Sequence, residues 1–372
     1  MGFNIGLIIS ILLIYIGVNS MKNLKREKRE SVFLFLSFLL FFILTGWREM
    51  TVGNDTQSYI NLFKICSTIK WEVINIYTYF ETGYLILNIL ISYISSSSRM
   101  FMMIVSLIFN MITYKFIKEN SYNYLLSVIM YVCLLFFYSS MTMLRQFFSI
   151  LIILSGFKYV KKKKIIHFIF TVILASFFHS TAWLALLIYP IYHIKYKKKY
   201  VIIIFVASFI TILNLGSIFT TISNLIEKNS TYMDNLGDKN MANTLYAITY
   251  FLMYLFAIYE IYKNEKDGKI NDENNNFYLY SLLMAAVVNM IAINMNVLSR
   301  AALYFNIFSI ISLPNIIHNN VKNIYNKKIL NVAILLIFVI YSNTIIYFRP
   351  EWNSAFNYKS CIIKKNGYIC ED

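Results

Sequence analysis

Residues 143–179 read MLRQFFSILIILSGFKYVKKKKIIHFIFTVILASFFH. Two apolar runs, Met143–Val160 and Ile165–Phe178, flank the consecutive lysines Lys161–Lys164. An 18-residue helix rises about 27 Å, close to the ~30 Å hydrocarbon core of a bilayer. In that core a helix satisfies its own backbone hydrogen bonds, while lysines gather on the cytoplasmic side. The stretch therefore predicts a membrane hairpin with its lysine turn inside and its polar ends, Arg145-Gln146 and His179, outside. The rest of the chain agrees. Of 372 residues, 58% are hydrophobic and 14% charged, against about 25% charged in soluble proteins, which excludes a soluble multi-domain protein.

The net charge of +16 does not point to nucleic acid, because the basic residues sit in short loops between apolar runs: Lys22–Arg29, Lys158–Lys164 and Lys195–Lys199. Membrane lipid headgroups are their natural partners. The pattern predicts an all-α, polytopic integral membrane protein with about 12 transmembrane helices. Phe3–Val18 reads as a retained span with the N-terminus outside, and Gly83–Ile94 as a short re-entrant or incomplete segment. Residues 1–348 form a single transmembrane domain with outer loops 47–81 and 220–243, followed by an extracytoplasmic tail, 349–372. Within the first loop, Tyr59–Phe80 suits an amphipathic helix along the interface. The scattered histidines and four cysteines have no zinc-site spacing, and no metal or cofactor is expected. Cys361 and Cys370 can pair if the tail is in an oxidising compartment.

On this topology several uncommon residues collect at the outer face: Arg48, Gly53 and Asp55 after the second run, Arg145 and Gln146, His179, and Arg300 at the start of Ala301–Ile317. Arginine is normally sparse at outer boundaries. The 14 residues of Ile165–Phe178 rise only about 21 Å, which places His179 below the outer surface. A polar group at that depth faces a bundle interior or a watery cavity. Together the arginines suit an anion such as a diphosphate, gripped through fixed donor forks, and a histidine titrating near neutrality suits proton transfer from a hydroxyl. Plainer readings stand beside these. Arg48 and Arg300 also fit snorkelling anchors, His179 a donor at a helix end, and Gly53-Asn54-Asp55 a turn.

At these residues the sequence resembles the EpsG family, a branch of the Wzy-type polymerases of bacterial surface polysaccharides. The resemblance rests on Gly46-Trp47-Arg48, Val52-Gly53-Asn54-Asp55-Thr56-Gln57-Ser58-Tyr59, Glu81-Thr82-Gly83-Tyr84, Met143-Leu144-Arg145-Gln146, Phe178-His179-Ser180-Thr181-Ala182, and Arg300 with Tyr304-Phe305 and Leu313-Pro314. It implies joining of oligosaccharide repeat units carried on undecaprenyl diphosphate, as both donor and acceptor, at the outer face of the bacterial plasma membrane. It implies no nucleotide sugar at that face, and the company of a chain-length regulator and a flippase. On this reading Arg145 and Arg300, with Arg48, hold the diphosphate; Gln146 and Glu81 join the binding set; and His179 or Asp55 is the base. The competing readings are a flippase or other transporter of lipid-linked oligosaccharide, and another membrane transferase such as an acyltransferase.

Overall fold

The computed structural model describes residues 1–214, 216, 241–263, 273–294, 298–349 and 353–361. Among them every regular element is helical, and the chain divides into two compact units, 1–183 with 329–372 and 184–328. The first unit holds α1 (Gly2–Ser20), α2 (Arg26–Gly46), α3 (Thr56–Ile69), α4 (Val73–Ile76), α5 (Thr82–Ile94), α6 (Ser98–Asn120), α7 (Tyr124–Cys133), α8 (Phe136–Thr142), α9 (Leu144–Lys161) and α10 (Ile165–Ser176). A 3₁₀ segment, Ser180–Leu187, then leads to α11 (Ile188–His193), α12 (Lys198–Leu213), α13 (Met241–Tyr262), α14 (Glu273–Ala292), α15 (Leu298–Asn306) and α16 (Ser309–Asn320). The chain returns to the first unit through α17 (Ile324–Phe348) and α18 (Asn353–Phe356).

The outward faces are apolar. On α1, Ile5, Ile9, Leu13 and Ile16 are exposed at helical spacing; on α17, Val332, Leu336, Ile340 and Tyr347 are. Water penalises such continuous apolar stripes, whereas lipid accommodates them. Between helices, buried hydrogen bonds join the apolar contacts. Asn4 Nδ2 donates to Ser342 Oγ at 2.9 Å, Tyr138 donates to Asn4 Oδ1 at 3.1 Å, and Asn110 Nδ2 donates to Thr45 Oγ1 at 3.1 Å. Within the second unit, Asn289 Nδ2 donates to Asn306 Oδ1 at 2.8 Å, and Asn315 Nδ2 to the Tyr278 hydroxyl at 2.7 Å. Apolar outside and hydrogen-bonded inside is how membrane helices associate when the hydrophobic effect cannot drive them together. The chain is a polytopic helical membrane protein.

The expected count of about 12 crossings is corrected. Among the described residues seven helices are long and apolar enough to cross: α1, α2, α6, α13, α14, α15 with α16 (Leu298–Asn320), and α17. Counting the bent pair α7–α8 as one span makes eight. Four expected spans account for the difference: α9 has the length but carries Arg145, Lys158 and Lys161, α12 and α10 have 16 and 12 residues, and Thr181–Ile194 is not one helix. The run Tyr122–Tyr138 breaks at Leu135, which takes φ 65°, and α7 and α8 meet at 50°. Thr181–Ile194 folds as a 3₁₀ segment followed by a six-residue helix. The helices α5 and α10 have 13 and 12 residues, about 20 and 18 Å. Neither glycine nor proline marks the break at Leu135, so hydropathy alone passes over it, whereas Thr181–Ile194 carries Pro190 in the first turn of its helix. The second outer loop expected, 220–243, lies outside the described residues except for 241–243, which open α13.

Two regions of the first unit position the polar residues. Residues 56–69 form α3 with one buried face, Tyr59, Ile60, Leu62, Phe63 and Cys66; the amphipathic helix expected over Tyr59–Phe80 ends at Ile69, and Lys70 takes φ 51°. The helices α9 and α10 form a tight antiparallel hairpin around Lys162–Lys164; at Gly156 a β-carbon would collide with Thr171 on the facing helix. A hairpin brings its free ends together, here the Arg145 end of α9 and the His179 end of α10.

Candidate functional site

The site is built on a break in the backbone. After α8, Met143 takes φ −118° and ψ 62°, and α9 starts at Leu144. Gly53 packs against the last carbonyls of α8. Its φ is +99°, and an added β-carbon would lie 2.6 Å from the Met141 carbonyl oxygen. Only glycine combines that dihedral with that approach. The same oxygen accepts from Arg48 Nη2 at 3.3 Å and from Thr56 Oγ1 at 3.2 Å. The turn 53–55 is thereby locked onto the α8–α9 break, and Asp55, half-buried, stands at the start of α3 with its carbonyl accepting from Tyr59 N–H at 3.0 Å.

Arg48 is 2% exposed. Its guanidinium also donates to the Thr45 carbonyl at 2.8 Å through Nη1 and to the Val52 carbonyl at 3.2 Å through Nε. Burial lowers its pKa to about 9, which leaves it charged at neutral pH. Beside it Arg99, which the sequence reading passed over, donates to the Gly46 carbonyl at 3.2 Å and the Arg48 carbonyl at 2.7 Å, and contacts Cys361 Sγ at 2.7 Å. The segment 358–361 straps this corner. Glu49 N–H donates to the Lys359 carbonyl at 3.0 Å, Cys361 N–H to the Trp47 carbonyl at 2.9 Å, and the Tyr358 ring stacks on Phe3 at 4.3 Å. Cys361 is disulfide-bonded; Cys370, with which pairing was expected, lies outside the described residues.

Arg145 lies deeper. Phe109 packs on Phe147 at 5.1 Å, Phe116 on Phe157 at 6.1 Å, and Lys161 Nζ donates to Asn120 Oδ1 at 2.7 Å, so α6 and α9 run in parallel. On that register Arg145 sits about 12 Å further along the bundle than Arg99. Measured from Lys158 at the opposite end, it lies only about 20 Å up α9. Its Nη1 pairs with Glu81 Oε2 at 2.5 Å, and its guanidinium covers the Phe80 ring at 4.9 Å. The Tyr59 hydroxyl is within hydrogen-bonding reach. The side chains of Arg145 and Glu81 remain 27% and 20% exposed, so the pair borders open space. Gln146, its neighbour, is buried.

His179 comes to the same region through backbone contacts. Gly83 N–H donates to the Phe177 carbonyl at 2.9 Å, and a β-carbon on Gly83 would lie 2.7 Å from that oxygen. Glu81 and His179 therefore flank one backbone hydrogen bond. The Phe178 ring packs on Phe148 at 5.5 Å, one turn after Arg145, and Phe148 reaches Tyr84 at 6.3 Å, which meets Tyr59 at 5.7 Å. The half-buried His179 ring places Nδ1 2.7 Å from Thr181 Oγ1.

The first unit thus gathers Asp55, Glu81, Arg145, Gln146 and His179 around the starts of α3, α5 and α9 and the end of α10, with Arg48 beneath the break. Arg300 belongs to the second unit, exposed on α15. Sequence spacing held no signal for the Glu81–Arg145 pair, 64 residues apart, nor for Tyr59 and Phe80 beside it. A model of the EpsG family matches residues 31–360. No curated protein and no solved structure matches the chain.

Proposed function

The chain belongs to the EpsG family, and from that premise we propose that it joins undecaprenyl-diphosphate-linked oligosaccharide repeat units into a surface polysaccharide by glycosyl transfer at the outer face of the bacterial plasma membrane. Membership implies a Wzy-like polysaccharide-polymerase role; the lipid carrier, the face and the residue roles are the proposal. The observation that carries it is Arg145, a partly open cation with one carboxylate partner, Glu81. Such a guanidinium suits a diphosphate, which it grips with two donors at once.

In the proposed reaction an acceptor hydroxyl attacks the anomeric carbon of the donor chain, and the glycosidic bond to undecaprenyl diphosphate breaks. Arg145 stabilises the charge that grows on the leaving diphosphate; Arg300 is proposed as a further substrate-binding residue. His179 is the proposed base that takes the hydroxyl proton. Asp55 is the competing base. Gln146 and Glu81 belong to the sugar and diphosphate surroundings. Arg48 donates to three carbonyls, and its proposed part is to hold the α8–α9 break from which Arg145 projects. Residues 1–348 serve as one transmembrane domain, with 47–81 and 220–243 as outer segments and 349–372 as the outer tail; a flippase delivers the units and a chain-length regulator limits the product.

The test is to delete the gene and resolve the lipid-linked pool by side of the membrane. Single repeat units accumulate outside and long polymer disappears; units trapped inside would instead indicate a flippase. Arg145→Ala and His179→Ala should reproduce the loss at normal protein levels, and full-length polymer from both variants overturns the site.

A further inference from the structure

Arg48, buried, and Arg145, part-buried, differ in how their donors are used. Arg48 reaches carbonyls through Nε, Nη1 and Nη2. Arg145 has one anionic partner, Glu81, and among the described residues its buried Nε–H has no hydrogen-bond partner. A guanidinium binds phosphate best through two parallel N–H groups, and in Arg145 a donor for that purpose is unused. The carboxylate next to it is the obstacle. It neutralises the cation and repels an incoming anion. Glu81 also directly precedes α5, and its side chain makes no capping hydrogen bond there. A carboxylate released from Arg145 would rest beside the positive end of that helix, which favours an anion.

We propose that Glu81 is an exchangeable counter-ion: the diphosphate of the lipid-linked substrate displaces its carboxylate from Arg145. This rests on the reading of Arg145 as the diphosphate ligand. The pair keeps a desolvated guanidinium neutralised between turnovers and sets how tightly the leaving undecaprenyl diphosphate is retained. Substrate entry and product release both pass through the exchange.

The experiment is equilibrium binding of undecaprenyl diphosphate to the full chain in lipid nanodiscs. Glu81→Gln should bind it up to about fivefold more tightly than wild type, the worth of a partly exposed ion pair. Arg145→Gln should bind it at least tenfold more weakly. Glu81→Asp, whose shorter side chain reaches Arg145 less well, should fall between wild type and Glu81→Gln, and it serves if the glutamine variant does not accumulate. A residue that only braces Arg145 predicts the reverse, weaker binding in both Glu81 variants, and that result overturns the proposal. Absence of binding by wild type would overturn the diphosphate reading itself, a distinct outcome.

Discussion

Arg48 and Arg145 are both arginines after an apolar run, and their surroundings separate their duties. Removing Arg48 takes a donor from the carbonyls of Thr45, Val52 and Met141, leaving Thr56 Oγ1 as the side-chain donor to the last two, and lost buried hydrogen bonds are costly. Arg48→Met should lower stability by about 3 kcal/mol, read as an earlier thermal unfolding transition in detergent. Arg145→Met, which leaves one half-open carboxylate behind, should unfold within about 1 kcal/mol of wild type while polymer synthesis is lost. Equal destabilisation by the two would show that Arg145, too, is structural. The sequence marked both residues as uncommon cations at the end of a span. Which of them carbonyls would surround was not written in their neighbours, because the Met141 oxygen lies 93 positions from Arg48.

The α9–α10 hairpin sets the distance between the two chain segments that carry Arg145 and His179. Gly156 lets α10 approach so closely that a β-carbon would strike Thr171, a small-residue contact of the kind membrane helices use. Gly156→Val should push α10 away and displace the His179 turn from Arg145, cutting polymer yield by about tenfold or more, since a 1 Å misplacement costs on the order of 100-fold in well-positioned sites. Thr171→Ala in the same chain should restore a good part of it, as the added bulk then has room. No restoration would mean that the hairpin spacing does not control the site. This hairpin was legible beforehand: its lysine turn and two apolar runs are local features. The break between α7 and α8 was not, because Leu135 adopts its left-handed conformation within an unbroken apolar run. A leucine there is unremarkable in composition.

The first unit has two ends, one bearing Lys22–Arg29 and Lys161–Lys164, the other the candidate site. The proposed orientation puts the first inside and the second outside. Cysteine placed at Asn54 should react with a membrane-impermeant maleimide on intact cells, whereas cysteine at Lys162 should react only after permeabilisation; both native positions are exposed, and the free cysteines Cys66 and Cys133 are buried. Labelling of both from the same side would refute the orientation. Hydropathy and charge sufficed for helical class, membrane residence and expected sidedness, since the transfer of apolar side chains into lipid and of lysine out of it is a property of each segment taken singly. The number of full spans, the use of Arg48 as a brace and the pairing of Arg145 with Glu81 emerged from folding. Those depend on which distant carbonyl, ring or carboxylate comes within about 3 Å of a given group, and such proximity is a property of the packed chain.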